Sequence, residues 1–347
     1  MRRFISLFAL LITIHAVSLS QNGNFREIIN KRMNLQRQIE NGNKNALNAL
    51  GVSYLEQNPT DYDKAFKLFQ RAYDLGVENS AFNLGHCYYH GYGVNVDYTK
   101  ALKLFLEDNG KTSGALYYLG ALYFNGNGVA VDYDKAVDYF QKAKERGYTS
   151  SDIFLGICYA EGKGVEKDET RALSLLLPFA YKKNSEAQYN VAKIYMNLGN
   201  DEKALYWYGK VATQYSTASV IMGDIYKKEG NIVKAKDFYR QASDYGVAMG
   251  EYKLGEIVYD EGVKLESNGF DSDAREKYTE AFQLLKDASE DSETPIPAAM
   301  RLLQACYRYG RGTEENVTLA EKWKSEALKH KDKNTLELLE MEIKRKK

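Results

Sequence analysis

The sequence predicts an all-α protein: an α/α superhelical solenoid of about eight helix-pair repeats, with a capping helix at each end. Three observations support this fold class. Only 4 of the 347 residues are prolines, and no stretch alternates apolar and polar residues as a strand would. Small and apolar residues return in the same order about every 31 to 36 residues, a period typical of stacked helical repeats. In several periods, two glycines separated by one residue mark the turn between two helices.

The N-terminal segment reads as a signal peptide. A basic start, Met1-Arg2-Arg3, precedes an apolar run from Phe4 to Val17, and Ser18-Leu19-Ser20 supplies the small residues that a signal peptidase reads. We expect cleavage after Ser20 rather than a membrane anchor, because the apolar run of about 14 residues is shorter than the roughly 20 needed to span a bilayer. The protein is therefore expected to be exported: periplasmic or secreted, or in the endoplasmic reticulum lumen if eukaryotic.

Four segments follow from this pattern: a signal peptide (1–20), an N-terminal capping helix (21–45), the repeat array (46–328), and a C-terminal capping helix with a basic tail (329–347). The first capping helix is expected from the apolar residues Phe25, Ile28, Ile29 and Ile39 among polar neighbours. The second is expected over Thr335–Lys347, where the terminal cations suit the negative end of a helix dipole.

The net charge of the chain bears on which partners it can bind. The 47 basic and 47 acidic residues balance, and loss of the signal peptide would leave 45 basic and 47 acidic residues, a net charge of −2. Such a chain has no large basic field to attract phosphate, so we expect no nucleic-acid partner. No later stretch is apolar enough to span a membrane, and we expect a monomer that binds another protein or peptide.

The third repeat, Ala115–Gly147, shows what each position of the period does. Leu119 lies on one face of a first helix, and Gly120 leaves room there for the facing helix. The pair Gly126 and Gly128 ends that helix, because glycine accepts positive φ without a Cβ penalty. Asp132 is placed to cap the second helix, whose buried stripe is Ala136, Phe140 and Ala143.

The same signs recur along the chain. The spacing between repeats is regular except for one insertion within the seventh repeat, between about residues 260 and 279. Repeats begin near Ala46, Ala81, Ala115, Ser151, Ala187, Ala218, Gly250 and Ala299.

These residues resemble the Sel-one-like repeat family, a relative of the tetratricopeptide repeats, over about Ala46 to Leu328. Repeats five and six have a single-glycine corner closer to the tetratricopeptide form, and the last repeat has Gln304 in place of the helix-facing glycine. The resemblance implies a protein-interaction scaffold, such as an adaptor of a bacterial envelope or of a degradation complex in the endoplasmic reticulum lumen. The second repeat carries the match on Leu84-Gly85, Tyr88, Gly91, Gly93, Val94, Asp97 and Lys100-Ala101.

The three cysteines, Cys87, Cys158 and Cys306, occupy the same position of their repeats. Cys87 and Cys158 are two repeats apart, which is roughly 20 Å if each repeat advances by a helix diameter, whereas a disulfide needs Cα atoms within about 7 Å. We therefore predict buried free thiols.

One histidine pair, His86 and His90, could hold zinc, since residues four apart on a helix share a face. Further ligands are missing from the motif, so we expect no metal site and no cofactor. The Gly-x-Gly corners lie between helices and end in no Gly-Lys-Ser/Thr, so they are turns rather than phosphate cradles. No Gly-x-Ser-x-Gly nucleophile motif is present, and we expect a protein that is not an enzyme.

A partner is expected to bind along the first helices. By analogy with tetratricopeptide solenoids, these line a concave groove, which receives the residues three before, one after and four after the helix-facing glycine. Aromatic side chains in the earlier repeats and mixed charge in the later ones would contact an extended partner segment; a cell-wall or carbohydrate-acting enzyme and a carbohydrate-binding protein are the alternatives. The groove residues are Phe82, His86, Tyr89, Tyr117, Phe124, Tyr189, Lys193, Met196, Asp224, Lys227 and Tyr252.

Overall fold

The structure is a computed structural model that describes residues 23–56, 60–290 and 295–330. These residues form 17 α-helices and no strand, which confirms the all-α class with paired helices. The expected signal peptide (1–20) and the C-terminal helix over Thr335–Lys347 lie outside the described residues. Within the described residues, no helix is both long and apolar enough to cross a membrane.

The chain divides into two compact units, Met1–Leu175 and Leu176–Lys347, and the division falls within one helix, α9 (Glu169–Tyr181). The helices that precede it in the first unit are α1 (Gly23–Glu40), α2 (Ala46–Leu55), α3 (Tyr62–Asp74), α4 (Ser80–His90), α5 (Tyr98–Asp108), α6 (Ser113–Asn125), α7 (Tyr133–Glu145) and α8 (Ser151–Glu161).

The second unit continues with four pairs. These are α10 (Ser185–Asn197) with α11 (Asp201–Val211), α12 (Ser216–Lys228) with α13 (Ile232–Asp244), α14 (Ala248–Ser267) with α15 (Asp271–Glu290), and α16 (Pro297–Tyr309) with α17 (Val317–Lys329).

An aspartate begins the second helix in the first repeats, as predicted. Asp132 caps α7 by accepting a hydrogen bond from the backbone N–H of Lys135. The Lys135 ammonium also forms an ion pair with the same carboxylate at 3.0 Å. Asp61 and Asp97 cap α3 and α5 in the same way. These hydrogen bonds satisfy backbone donors that the first turn of a helix would otherwise leave unpaired.

The helix-facing glycine accommodates an aromatic ring from the paired helix. A Cβ atom on Gly120 would lie 2.7 Å from the ring of Phe140, which is fully buried, so the two helices could not approach as closely with any larger residue. Gly223 stands in the same relation to Tyr239 in the second unit. In the last repeat, Gln304 at this position is itself buried.

The second glycine of each double-glycine corner packs against the preceding repeat. Gly164 has φ +68°, and a Cβ atom there would lie 2.5 Å from the carbonyl carbon of Tyr133, the first residue of α7. Gly128 is packed in the same way, with Tyr98 at 2.7 Å. At the single-glycine corners of repeats five and six, a Cβ on Gly199 or Gly230 would meet nothing within 4 Å. The double-glycine corner is therefore an inter-repeat contact as well as a turn.

The insertion in the seventh repeat lengthens both of its helices. α14 and α15 each contain 20 residues, whereas the other repeat helices contain 10 to 13. Gly262 in the added part of α14 makes room for the buried ring of Tyr278 in α15. The inserted residues thus extend the core of this helix pair.

The first helix, α1, packs on the first repeat through Ile39, which contacts the cluster of Leu47, Ala72 and Val77. Ile29 is 39% exposed, and the Phe25 side chain is outside the described set. The apolar contact of α1 with the first repeat therefore lies near the C-terminal end of α1.

Candidate functional site

The predicted groove residues of repeats two and three meet around a side chain that the sequence analysis did not select, Tyr118 of α6. Its ring centroid lies 4.8 Å from that of Tyr89, 5.1 Å from that of Tyr117 and 6.3 Å from that of Phe82. Its hydroxyl oxygen lies 3.0 Å from Nε2 of His86. Four predicted residues from α4 and α6 therefore share one neighbour.

His90 and Tyr92 extend this group toward the first repeat. Nε2 of His90 lies 3.1 Å from the same Tyr118 oxygen, and its imidazole stacks on Tyr92 with 5.1 Å between centroids. Tyr92, in the corner after α4, stacks in turn on Tyr62 at 4.4 Å.

Phe154 of α8 extends the group in the other direction. Its ring lies 5.7 Å from Tyr117 and 5.5 Å from the predicted residue Phe124, which contacts Tyr133 at 5.4 Å. We call the resulting continuous row of rings the aromatic ladder; its members are Tyr62, Tyr92, His90, Tyr118, Tyr117, Phe154, Phe124 and Tyr133.

The ladder combines apolar surface with little charge. His90 and Tyr62 are exposed and the other members are half-buried, so the rings are accessible at their edges or faces. Burial, assisted by the neighbouring His90, lowers the pKa of His86 to about 4, and burial also lowers the pKa of His90. Both imidazoles are therefore neutral near pH 7. Lys163 lies 5.1 Å from the ring centroids of Phe124 and Tyr133 and is paired with Glu161 at 2.8 Å.

Tyr118 and Phe154 could have been recognised from the sequence. Tyr118 and Phe154 both stand two residues before the helix-facing glycine of their repeats, Gly120 and Gly156. Two aromatic residues at one register, between positions already assigned to the groove, indicate a further row on the same helix face.

In repeat five, the predicted residues Tyr189, Lys193 and Met196 are all half-buried on α10. Tyr189 stacks on Tyr215 at 4.9 Å and meets Tyr208 edge-on at 5.6 Å. Tyr189 is thus part of the packing of its own repeat and of the loop that follows.

The predicted charges of repeat six, Asp224 and Lys227, are paired with charged residues of repeat seven. Lys227 binds Glu256 at 2.9 Å, and the hydroxyl of the predicted residue Tyr252 donates to the other oxygen of that carboxylate at 2.8 Å. Asp224 accepts hydrogen bonds from Lys253 at 2.7 Å and from the buried Tyr239 hydroxyl at 2.6 Å. These groups hold successive repeats of the second unit together, which the sequence analysis did not anticipate.

A separate cleft of about 560 Å³ lies among α1, α2 and α3, and another of about 360 Å³ lies in the second unit. The second cleft contains Tyr181 and Tyr206, which are 70% and 54% exposed and meet the buried Trp207 edge-on at 5.3 and 5.1 Å. Lys210 lies 4.9 Å from the Tyr206 ring centroid. None of these residues was predicted from the sequence to bind a partner.

The three thiols are buried, as predicted, and burial raises the pKa of each to about 12. Across residues 23–56, 60–290 and 295–330, no three side chains of His, Cys, Asp or Glu converge in a way that could hold a metal ion.

Comparison with protein families decides the classification. The model described as Sel1 repeat matches five segments, residues 44–77, 79–107, 113–148, 150–184 and 297–330. The chain belongs to the Sel1 repeat family. Two further segments of this Sel1-repeat protein, 185–213 and 217–245, match a tetratricopeptide repeat model, in agreement with the single-glycine corners there. Proteins of these families are generally protein-interaction scaffolds.

One solved structure shows the same fold at low sequence identity. A Sel1 repeat protein from Oxalobacter formigenes is 22% identical, with a TM-score of 0.59 over 94% of this chain and 92% of that one. The protein c5321, described as a protective antigen of uropathogenic Escherichia coli strains, is also 22% identical, with a TM-score of 0.48 over 85% of this chain and 79% of that one. No curated protein matches the chain.

Proposed function

We propose that this Sel1-repeat protein is a non-catalytic scaffold that binds an extended segment of a partner protein on the aromatic ladder. The observation that supports this best is the ladder itself, in which rings from four successive repeats follow one another at 4.4 to 5.7 Å. Tyr and Phe offer a large contact area with few rotatable bonds, and such residues supply much of the binding energy of protein interfaces.

Charge and position support a polypeptide ligand. The ladder residues carry no charge near pH 7, and the neighbouring Lys163 is paired with Glu161, so the ladder suits an apolar or aromatic segment better than a phosphorylated one. Its rings lie on first helices, on a corner and at the starts of second helices in adjacent repeats, as a segment running from repeat to repeat would require. Burial lowers the pKa of His90 in the ladder and of the adjacent His86, whereas general base catalysis would favour a pKa near 7.

The test uses linear peptides selected on the full-length chain from a random display library and then labelled with a fluorophore. The substitutions Tyr89→Ala, Tyr117→Ala and Phe124→Ala together are expected to weaken their binding at least about tenfold, since loss of a central aromatic anchor costs about 2 kcal/mol or more. Fluorescence anisotropy gives the affinity, and circular dichroism melting reports the fold. Tyr206→Ala, an exposed tyrosine of the second unit, is the matched control and should leave binding unchanged.

Unchanged affinity in a folded triple variant would show that the ladder is not the binding surface. If the triple variant unfolds, His90→Ala replaces it, because His90 is an exposed member of the ladder. Full retention of peptide binding by His90→Ala and by Tyr92→Ser would then reject the proposal.

A second candidate function, glycan binding, is favoured by the cleft at Tyr181, Tyr206 and Trp207. Exposed tyrosine rings can stack on sugar faces, and Gln214, Lys183 and Lys210 line the same cleft with polar groups. The variants already described separate the two functions. A glycan whose binding is lost in Tyr206→Ala but kept in the triple variant supports this candidate.

We also propose that the scaffold acts outside the cytoplasm. The support is the basic, apolar and small-residue order of Met1 to Ser20 in the sequence. Expression with a C-terminal tag should give an exported protein whose N-terminal residue is Gln21 on Edman or mass-spectrometric sequencing. An intact Met1 terminus on a cytoplasmic product would contradict the proposal.

A further inference from the structure

Three potential metal ligands converge on the face of α4. His86 and His90 are one helical turn apart, and their Nε2 atoms lie 3.0 and 3.1 Å from the same oxygen, the Tyr118 hydroxyl. We propose that His86, His90 and Tyr118 form a binding site for a divalent transition metal, with Cu²⁺ preferred over Zn²⁺. This inference does not depend on the proposed partner.

The distances suit coordination. Neighbouring ligand atoms at about 2.0 Å from a metal are separated by about 2.8 Å in the square-planar geometry that Cu²⁺ favours and by about 3.3 Å in a tetrahedral site. The two Nε2–Oη distances, 3.0 and 3.1 Å, therefore need to change by only a few tenths of an ångström. The two imidazole centroids are 4.5 Å apart, and both rings direct Nε2 toward one oxygen. Small rotations of these side chains would therefore place all three donors around one ion.

A bound metal would also change the hydrogen bonding of these three groups. A single phenol proton can be donated to one imidazole only, so without a metal the second imidazole must donate its own Nε2–H to the oxygen. A cation between the donors instead uses a lone pair from each ring and from the phenolate, and the phenol proton passes to solvent.

The donor set indicates which ion is favoured. Two imidazole nitrogens suit zinc, copper, iron and nickel, and Cu²⁺ has the highest affinity for such ligands among the divalent first-row ions. His90 is exposed, so water can fill the remaining coordination positions. The absence of a carboxylate or thiolate from the described cluster argues against a calcium site or a closed structural zinc site.

The experiment titrates the full-length chain, freed of metal by a chelator that is then removed, with Cu²⁺ and with Zn²⁺. Calorimetry should give one site per chain, and the copper complex should show a visible phenolate-to-copper charge-transfer band. We expect His90→Ala to weaken Cu²⁺ binding at least tenfold and Tyr118→Phe to abolish the band. His330→Ala is the matched control, because His330 is an exposed histidine of the second unit, and it should bind Cu²⁺ as the wild type does.

Copper binding of unchanged affinity in His90→Ala, or loss of binding in His330→Ala alone, would overturn the site. A charge-transfer band that persists in Tyr118→Phe would overturn the assignment of the third ligand. Circular dichroism of each variant before the titration ensures that a loss of binding is measured on a folded chain. Since His90 is exposed, its replacement is expected to leave the fold intact.

Discussion

Gly164→Ala is expected to lower the free energy of unfolding by about 3 kcal/mol. The new methyl group would lie 2.5 Å from the Tyr133 carbonyl carbon and 2.9 Å from the Asp134 nitrogen, both of which are backbone atoms that cannot rotate away. Overpacking of this kind costs about 1–3 kcal/mol, and a residue with φ +68° adds about 1–2 kcal/mol for any side chain. The loss should appear as a lower urea midpoint, followed by circular dichroism.

Gly147→Ala separates the cost of overpacking from the cost of the positive φ. Gly147 has φ +86° in the same unit, but a Cβ atom there would meet nothing within 4 Å. This substitution should therefore cost only the backbone term of about 1 kcal/mol. Equal losses for the two variants would show that the second glycine of the corner is a turn residue and does not hold adjacent repeats together.

Native thiols are expected to react with a thiol reagent at pH 8 roughly 2,000 times more slowly than the same thiols in the unfolded chain. Burial raises the pKa of Cys87, Cys158 and Cys306 to about 12, because the apolar surroundings disfavour the charged thiolate. At pH 8 the thiolate fraction is then about 1 in 10⁴, compared with about one in four for an ordinary thiol with a pKa near 8.5.

The labelling rate of the native thiols is expected to rise with pH. The reactive form is the thiolate, so the rate of direct reaction should rise about tenfold for each pH unit and should not level off until the pH approaches 12. Iodoacetamide labelling with a chelator present, quantified by mass spectrometry for each cysteine, measures the rates. The same chain in urea is the control. A cysteine whose native rate levels off near pH 8.5 would contradict the burial of that thiol.

The local parts of the fold could be predicted from the sequence because they depend on neighbouring residues. Asp132 caps α7 through a backbone N–H three residues away, and the positive φ of Gly126 and Gly128 follows from the absence of a Cβ atom. The spacing of the repeats located the insertion within the seventh repeat. It did not show that the inserted residues lengthen two helices, because extra residues can form a loop or extend a helix pair.

The candidate site was predicted only in part. The rule of three positions per repeat selected Phe82, His86, Tyr89 and Tyr117, which the structure brings together. It omitted Tyr118, which contacts all four. It also selected Asp224 and Lys227 as charges available to a partner, whereas Lys253 and Glu256 of the next repeat pair with them.

The sequence by itself determined the family, the helix pairs and the corners of this protein. Those features repeat with a period of one structural unit and arise from caps, glycines and apolar stripes within that unit. Tertiary structure alone decided which side chains of different repeats meet. Tyr118 is 32 residues from His86, and their contact depends on how two first helices stack and on the directions in which their side chains leave the backbone. A repeat pattern specifies neither.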